Sequence, residues 1–126
     1  MSKDTLRLTA YLEHIVEAIQ RIERYSEDMD KSMFEASELV QDAIIRNIEV
    51  VGEAANNILK RYPDFAAAHS GLPWGKAYGT RNALAHGYYQ IDLDIVWNTV
   101  TNILPSLRND IQALLDGMGD NDKPAA

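Results

Sequence analysis

The chain has 126 residues, of which 46% are hydrophobic and none is cysteine. This length suits one domain that buries a core without the help of disulfide bonds or structural metal ions. The lack of cysteine excludes a disulfide framework, a thiol nucleophile and a Cys-ligated zinc. The net charge of -7, from 19 acidic and 12 basic residues, argues against broad, charge-driven binding to nucleic acid. DNA is therefore not expected as a partner, and any RNA must be bound by a limited part of the protein surface.

No segment of the sequence is a candidate for insertion into a membrane. Residues 1–5 lack a basic region followed by an apolar run. No later segment approaches the roughly 18 uninterrupted apolar residues that a membrane span needs. We therefore expect a cytoplasmic protein with no membrane partner.

Apolar residues at steps of three and four predict a first amphipathic helix over residues 4–25. Its apolar positions are Leu8, Tyr11, Leu12, Ile15, Ile19 and Ile22. Glu17 and Arg21 are four residues apart on the solvent-exposed face of this helix, and their spacing predicts an ion pair. His14 lies beside the apolar stripe, and we interpret it as a packing or surface residue because no second metal-type residue lies at a useful spacing.

A polar break follows, and the pattern from Ser32 to Glu35 resembles a capping box that begins a turn or short helix. A second long helix is predicted over residues 37–62, ending before Pro63. Its apolar positions are Leu39, Ala43, Ile44, Ile48, Val51, Ala55, Ile58 and Leu59. Small residues at Gly52 and 54–55 would let another helix approach closely. Arg46 and Glu53 are the charged residues expected near the seam between this helix and its neighbour. The sequence leaves open whether they have a role there or are an ordinary pair of solvent-exposed charges.

The next segments are a loop over residues 63–71 and a short helix. Pro73 stands at the first helical position, Trp74 is a predicted packing residue, and Gly87 is the predicted helix end.

Asp92 is the predicted N-cap of the last helix. Apolar positions keep the same register on both sides of Pro105, which predicts a kink rather than a break. Gly117 is the predicted helix end, so that residues 1–117 form the domain and residues 118–126 a disordered tail.

The stretch over residues 80–89 gathers the chemically useful side chains, namely Arg81, Asn82, His86, Tyr88 and Tyr89. Histidine can transfer a proton near neutral pH, and arginine offers a permanent planar cation to phosphate oxygens. With no carboxylate cluster beside them, they suit phosphodiester chemistry on RNA without a metal, and Asn82 could orient the phosphate or the guanidinium. The other interpretation is structural, with His86 stabilised by the dipole at a helix end.

Geometry limits how Arg81 and His86 can act together. Residues five apart on a regular α-helix are rotated by roughly 140° and do not share a face. Either the last turn distorts near Gly87, or the same segment of a second subunit completes the site across a two-fold axis.

The pattern Arg81-x4-His86-x-Tyr88 resembles the R-x4-H-x-Y motif of the HEPN superfamily. More narrowly, the chain resembles the HepT-like toxins that are encoded beside minimal nucleotidyltransferase antitoxins. The likeness extends over nearly the whole chain, through residues 11–15, 45–54, 72–86, 91–97 and 104–107.

The resemblance implies an all-α, HEPN-type bundle of four to five helices, with the last kinked at Pro105, that forms a homodimer. It implies a metal-independent endoribonuclease without a cofactor, acting on an RNA such as tRNA or mRNA, in a type VII-like toxin-antitoxin module. Arg81 and His86 of two subunits would be catalytic in a shared cleft, with Asn82 in support. The implied partner is a nucleotidyltransferase antitoxin that AMPylates Tyr88, placing a bulky anionic phosphate in the cleft.

A different class of function is a non-catalytic helical dimer that binds a nucleotidyltransferase or a nucleotide. The acidic net charge motivates this alternative, because a ribonuclease of general specificity would be expected to be more basic. RNA left intact by the protein would favour it.

Overall fold

The computed structural model describes residues 3–74 and 92–122, and these residues form helices and short connections with no strand among them. The elements are α1 (Lys3–Ser26), α2 (Lys31–Glu35), α3 (Glu38–Arg61), α4 (Pro63–Ala68), α5 (Leu93–Asn98), a π-helical turn (Thr99–Ile103) and α6 (Leu104–Asp122). The prediction of an all-α fold is confirmed.

Helix α1 lies between α3 and α6 and supplies the centre of the core. Its apolar residues at helical spacing are buried, as are those of α3. Fully buried side chains include Leu12, Ile15, Ile19, Ile22, Ile44, Ile48, Ile58, Leu107 and Ile111. Small residues at 54–55 are also buried, which lets the two long helices approach closely. The amphipathic patterns predicted from the sequence therefore identify the core correctly.

The start of α2 differs from the predicted capping box. The N-cap is Asp30, whose carboxylate accepts a hydrogen bond of 2.8 Å from the Met33 backbone N–H. Ser32 is already inside the helix. An aspartate with extended backbone geometry, two residues earlier, competes successfully for the cap because its oxygen reaches the N3 amide.

The boundaries of α3 agree with the sequence analysis. Ser37 is the N-cap, accepting a hydrogen bond from the Val40 N–H, and the helix ends before Tyr62. The segment after it is more regular than predicted, because α4 gives residues 63–68 helical structure with Pro63 at the first helical position.

The last helix continues through Pro105, as its register predicts, but its irregularity begins earlier. A π-helical turn covers Thr99–Ile103, and the Leu104 N–H bonds to the Thr99 carbonyl five residues back. Helix α6 then runs to Asp122, so the prediction that Gly117 ends the helix is wrong. Met118, one residue later, packs against the core, and this contact outweighs the low helix propensity of glycine. The single-domain boundary at residue 117 stays a prediction.

None of the described helices has a stretch long and apolar enough to cross a membrane.

Candidate functional site

The four residues predicted to carry the chemistry, Arg81, Asn82, His86 and Tyr88, lie outside the described residues. Their roles and their mutual geometry therefore stay predictions. The structure does describe the residues that flank this segment, Trp74 before it and Asp92 after it.

Trp74 is anchored beside the C-terminal end of α3. Its indole is 4% exposed, and Nε1 donates a hydrogen bond of 3.1 Å to the His69 carbonyl. Its ring centroid lies 6.3 Å from that of Phe65 in α4. The prediction that Trp74 is a packing residue is confirmed. A shallow apolar hollow of about 390 Å³ lies against its indole, between α3 and α4.

Asp92 is anchored at the opposite end of α3. It is the N-cap of α5, as predicted, accepting hydrogen bonds from the Asp94 and Ile95 amides at 2.9 and 3.4 Å. Asp94 in turn forms an ion pair of 2.6 Å with Lys31, and this hydrogen bond raises the pKa of the Lys31 ammonium above its ordinary value of 10.5.

The tie to Lys31 places Asp92 near α2, which leads into the start of α3. Helix α3 has 24 residues and is about 36 Å long. Trp74 and Asp92 thus lie near opposite ends of the α1–α3 pair.

A polar groove lies between α1 and α3 in the described part of the chain, and we refer to it as the α1–α3 groove. Its volume is about 240 Å³. Its lining consists of Tyr11, His14, Arg46, Val50, Glu53, Ala54 and Asn57. Four of the lining residues are exposed or half-exposed residues of α3, namely Arg46, Val50, Glu53 and Asn57. They follow one another at steps of four, three and four, which places them on one face of that helix.

The side chains of the groove are available for contacts with another molecule. The Arg46 side chain is 72% exposed, and its guanidinium lies 3.6 Å from Glu49 in the same helix. His14 and Glu53 are exposed, whereas Ala54 is buried. The groove therefore combines hydrogen-bond donors, one acceptor carboxylate and a small apolar residue between them.

The sequence analysis anticipated part of this groove. It placed Arg46 and Glu53 near the helix seam, and both line the groove. It interpreted His14 as a packing or surface residue, and His14 is exposed. The groove that His14 shares with Arg46 was missed because the two residues are distant in the sequence and line one groove only when α1 and α3 pack. In the described part of the chain, no three metal-type side chains come together.

Comparison with known proteins identifies related sequences. A family described as Ribonuclease HepT-like matches residues 15–114. A protein of Thermococcus cleftensis named "Probable ribonuclease HepT" is 36% identical over 104 residues, covering 82% of this chain and 92% of that protein. A Methanocaldococcus jannaschii protein named "Putative RNase" is 30% identical over 112 residues, covering 89% and 98%.

A second protein of Methanocaldococcus jannaschii, named "Gamma-glutamylcyclotransferase and putative RNase", is 33% identical over 111 residues. That alignment covers 88% of this chain but only 49% of the relative, so the chain spans about half of that protein. No solved structure matches. The family match covers most of the chain and includes the Arg81-x4-His86-x-Tyr88 pattern. The chain belongs to the HepT-like ribonuclease family.

Proposed function

We propose that this protein is a metal-independent endoribonuclease and the toxin of a toxin-antitoxin pair. The observation that carries the proposal is the family match over residues 15–114, within which Arg81, His86 and Tyr88 stand at the spacing of the family's motif. Relatives that align over nearly their full length are named as ribonucleases.

The proposed chemistry uses the 2′-hydroxyl of RNA as the nucleophile. His86 accepts the proton of that hydroxyl while the oxygen attacks the adjacent phosphorus, and the bond from phosphorus to the 5′-oxygen breaks. A histidinium returns a proton to the departing 5′-oxygen, leaving a cyclic 2′,3′-phosphate and a 5′-hydroxyl. General acid-base catalysis of this kind contributes roughly 10²- to 10⁴-fold in rate.

Arg81 stabilises the negative charge that develops on the phosphate oxygens, and Asn82 orients the guanidinium or the phosphate. Because Arg81 and His86 are five residues apart, a homodimer that brings two copies of the segment to one cleft would unite them. No step in this scheme requires a metal ion or another cofactor.

The proposed control of the toxin is modification of Tyr88. A nucleotidyltransferase antitoxin would transfer AMP from ATP to the Tyr88 hydroxyl and release pyrophosphate. The new phosphodiester carries negative charge two residues from His86, where the phosphate of the RNA is expected to bind. Occupancy and repulsion would then exclude the substrate.

RNA cleavage in EDTA, by the wild type and by His86→Ala, tests the enzymatic proposal. We expect the wild type to cleave and the variant to lose at least 100-fold in rate, because its proton-transfer group is gone. Coexpression with the nucleotidyltransferase should add one AMP to the intact mass at Tyr88 and abolish cleavage. Equal cleavage by His86→Ala would overturn the assignment of His86.

A non-catalytic dimer that binds a nucleotidyltransferase or a nucleotide is the second candidate, favoured by the net charge of -7. Copurification with the nucleotidyltransferase, together with no cleavage of any RNA in EDTA, would select it.

A further inference from the structure

Basic side chains form a row along one edge of the α1–α3 groove. Arg7, His14 and Arg21 are seven residues apart along α1 and therefore lie on one side of the helix, about 10 Å from one another along its axis. All three are exposed, and His14 lines the groove itself. The row thus follows the groove on its α1 side.

The α3 side of the groove also carries arginines. Arg46 lines the groove, and Arg61 follows the lining residue Asn57 by four residues, which is one helical turn. Within the described part of the chain, Arg7, Arg21 and Arg61 take part in no ion pair, and the predicted pair between Arg21 and Glu17 does not form. These cations are therefore free to meet an anion in solution.

This face is less acidic than the chain as a whole. Five basic residues and one histidine lie along the groove against four acidic residues; the residues are Arg7, His14, Arg21, Arg46, Lys60 and Arg61 against Glu17, Asp42, Glu49 and Glu53. Over the whole sequence, acidic residues outnumber basic ones by 19 to 12. A polyanion is therefore attracted to the groove more than to the rest of the described surface.

The size of the groove favours one unit of a polymer over a free ligand. Its volume of about 240 Å³ is below the roughly 300–1,000 Å³ typical of pockets that take a whole small molecule. Tyr11, His14 and Asn57 can donate hydrogen bonds to phosphate or ribose oxygens, and Glu53 can accept one from a ribose hydroxyl.

The composition of the groove also favours RNA over a second copy of the chain. Homodimer interfaces are about 65% apolar, whereas the aliphatic lining of this groove consists of Val50 and Ala54.

We propose that the α1–α3 groove and its flanking arginines form an RNA-backbone site built from residues of α1 and α3. The proposal rests on the ribonuclease function proposed above. Contacts to phosphate position a nucleic acid without reading its sequence. Such a site would let an acidic enzyme hold an RNA strand through its phosphates.

The test measures binding of a 20-nucleotide, 2′-O-methylated RNA in EDTA over a range of salt concentrations. This RNA keeps its phosphates but has no free 2′-hydroxyl nucleophile, so binding is recorded without cleavage. The test variant is the double substitution Arg21→Gln with Arg46→Gln. We expect the slope of log K against log salt to fall by roughly 1.4, because each phosphate contact to a single strand contributes about 0.7. At 100 mM salt this corresponds to about 25-fold weaker binding.

The matched control is the double substitution Arg24→Gln with Lys31→Gln. Both residues are exposed, and Arg24 lies in a different surface hollow, beside Glu23 and Glu27. The control changes the net charge equally, so it should lower affinity only slightly and keep the wild-type slope. The double substitution to lysine at positions 21 and 46 should also keep the slope, because it preserves both charges.

Each other outcome overturns the proposal. Equal slopes for the two glutamine doubles would assign binding to net charge alone, and a wild type that does not bind would remove the site. A fall in molar mass in the test variant, measured by light scattering, would show that a second copy covers the groove. Cleavage of unmodified RNA by the wild type is recorded in parallel, so that a failure of the groove is distinguished from a failure of the ribonuclease proposal.

Discussion

Helix α3 and the C-terminal helical run, from α5 to α6, are both long and apolar on one face, but only α3 is regular. In α3, 24 residues follow one another without interruption behind the Ser37 cap. The C-terminal run contains a π-helical turn at Thr99–Ile103. Both place apolar side chains in the same core. Apolar periodicity alone therefore does not decide whether the backbone hydrogen bonds follow the α-helical or the π-helical pattern.

The cause of the difference is local. Pro105 has no N–H to donate, and its ring would collide with the carbonyl four residues back in a regular α-helix, which belongs to Thr101. The wider turn just before it relieves that conflict. Two hydroxyls support the irregular segment, because Thr99 and Thr101 donate hydrogen bonds of 2.8 and 2.9 Å to the carbonyls of Ile95 and Trp97.

The largest expected effect is that of a core truncation in either helix. Ile48→Ala in α3 and Ile111→Ala in α6 each remove a side chain that is at most 2% exposed, and each should lower the free energy of unfolding by about 2–5 kcal/mol. Urea denaturation would measure both. Leu39→Ala, at a side chain that is 81% exposed, is the control and should change stability by less than about 0.5 kcal/mol. A small loss for Ile111→Ala alone would show that the irregular run packs more loosely than α3.

A smaller effect of opposite sign is expected at Gly117. It lies inside α6, and a Cβ added there meets no atom within 4 Å. Gly117→Ala should therefore raise the free energy of unfolding by about 0.5–1 kcal/mol, through higher helix propensity and a less disordered unfolded chain. The reverse change in the same helix, Ala113→Gly, is the control and should lower stability by a similar amount. A thermal melt that shows no gain for Gly117→Ala would mean that α6 frays before residue 117 in solution.

The smallest effect concerns the ion pair that ties α2 to α5. The hydrogen bond from Lys31 to Asp94 raises the pKa of the ammonium above 10.5. The stabilising contribution is therefore fully present below pH 10.5 and is lost as the pH rises through the higher pKa of the folded state. The stability difference between the wild type and Lys31→Met should shrink above pH 10.5. Denaturation at pH 8 and pH 11.5 would measure it, and a constant difference would contradict the role of the pair.

Much of the fold follows from sequence patterns. Spacing of apolar residues predicted α1, α3 and the long C-terminal helix, and the cap at Asp92 was identified from residue type because a short polar side chain there meets free backbone amides. Errors occurred where two local signals compete, as at the start of α2, or where packing overrides propensity, as at Gly117. The catalytic segment was predicted from the motif and its chemistry, and its roles stay proposals.

The sequence by itself determined the all-α class, the buried faces of the long helices, the family and the identity of Arg81, His86 and Tyr88 as the motif residues. These depend on periodicity and residue type, which are properties of neighbouring positions. Only the tertiary structure decided that His14 and Arg46 line one groove, that Arg21 is not paired with Glu17, and that Trp74 and Asp92 lie near opposite ends of α3. Such features depend on which helices pack together and in what register, and the free energy that decides them comes from burial between residues distant in the sequence.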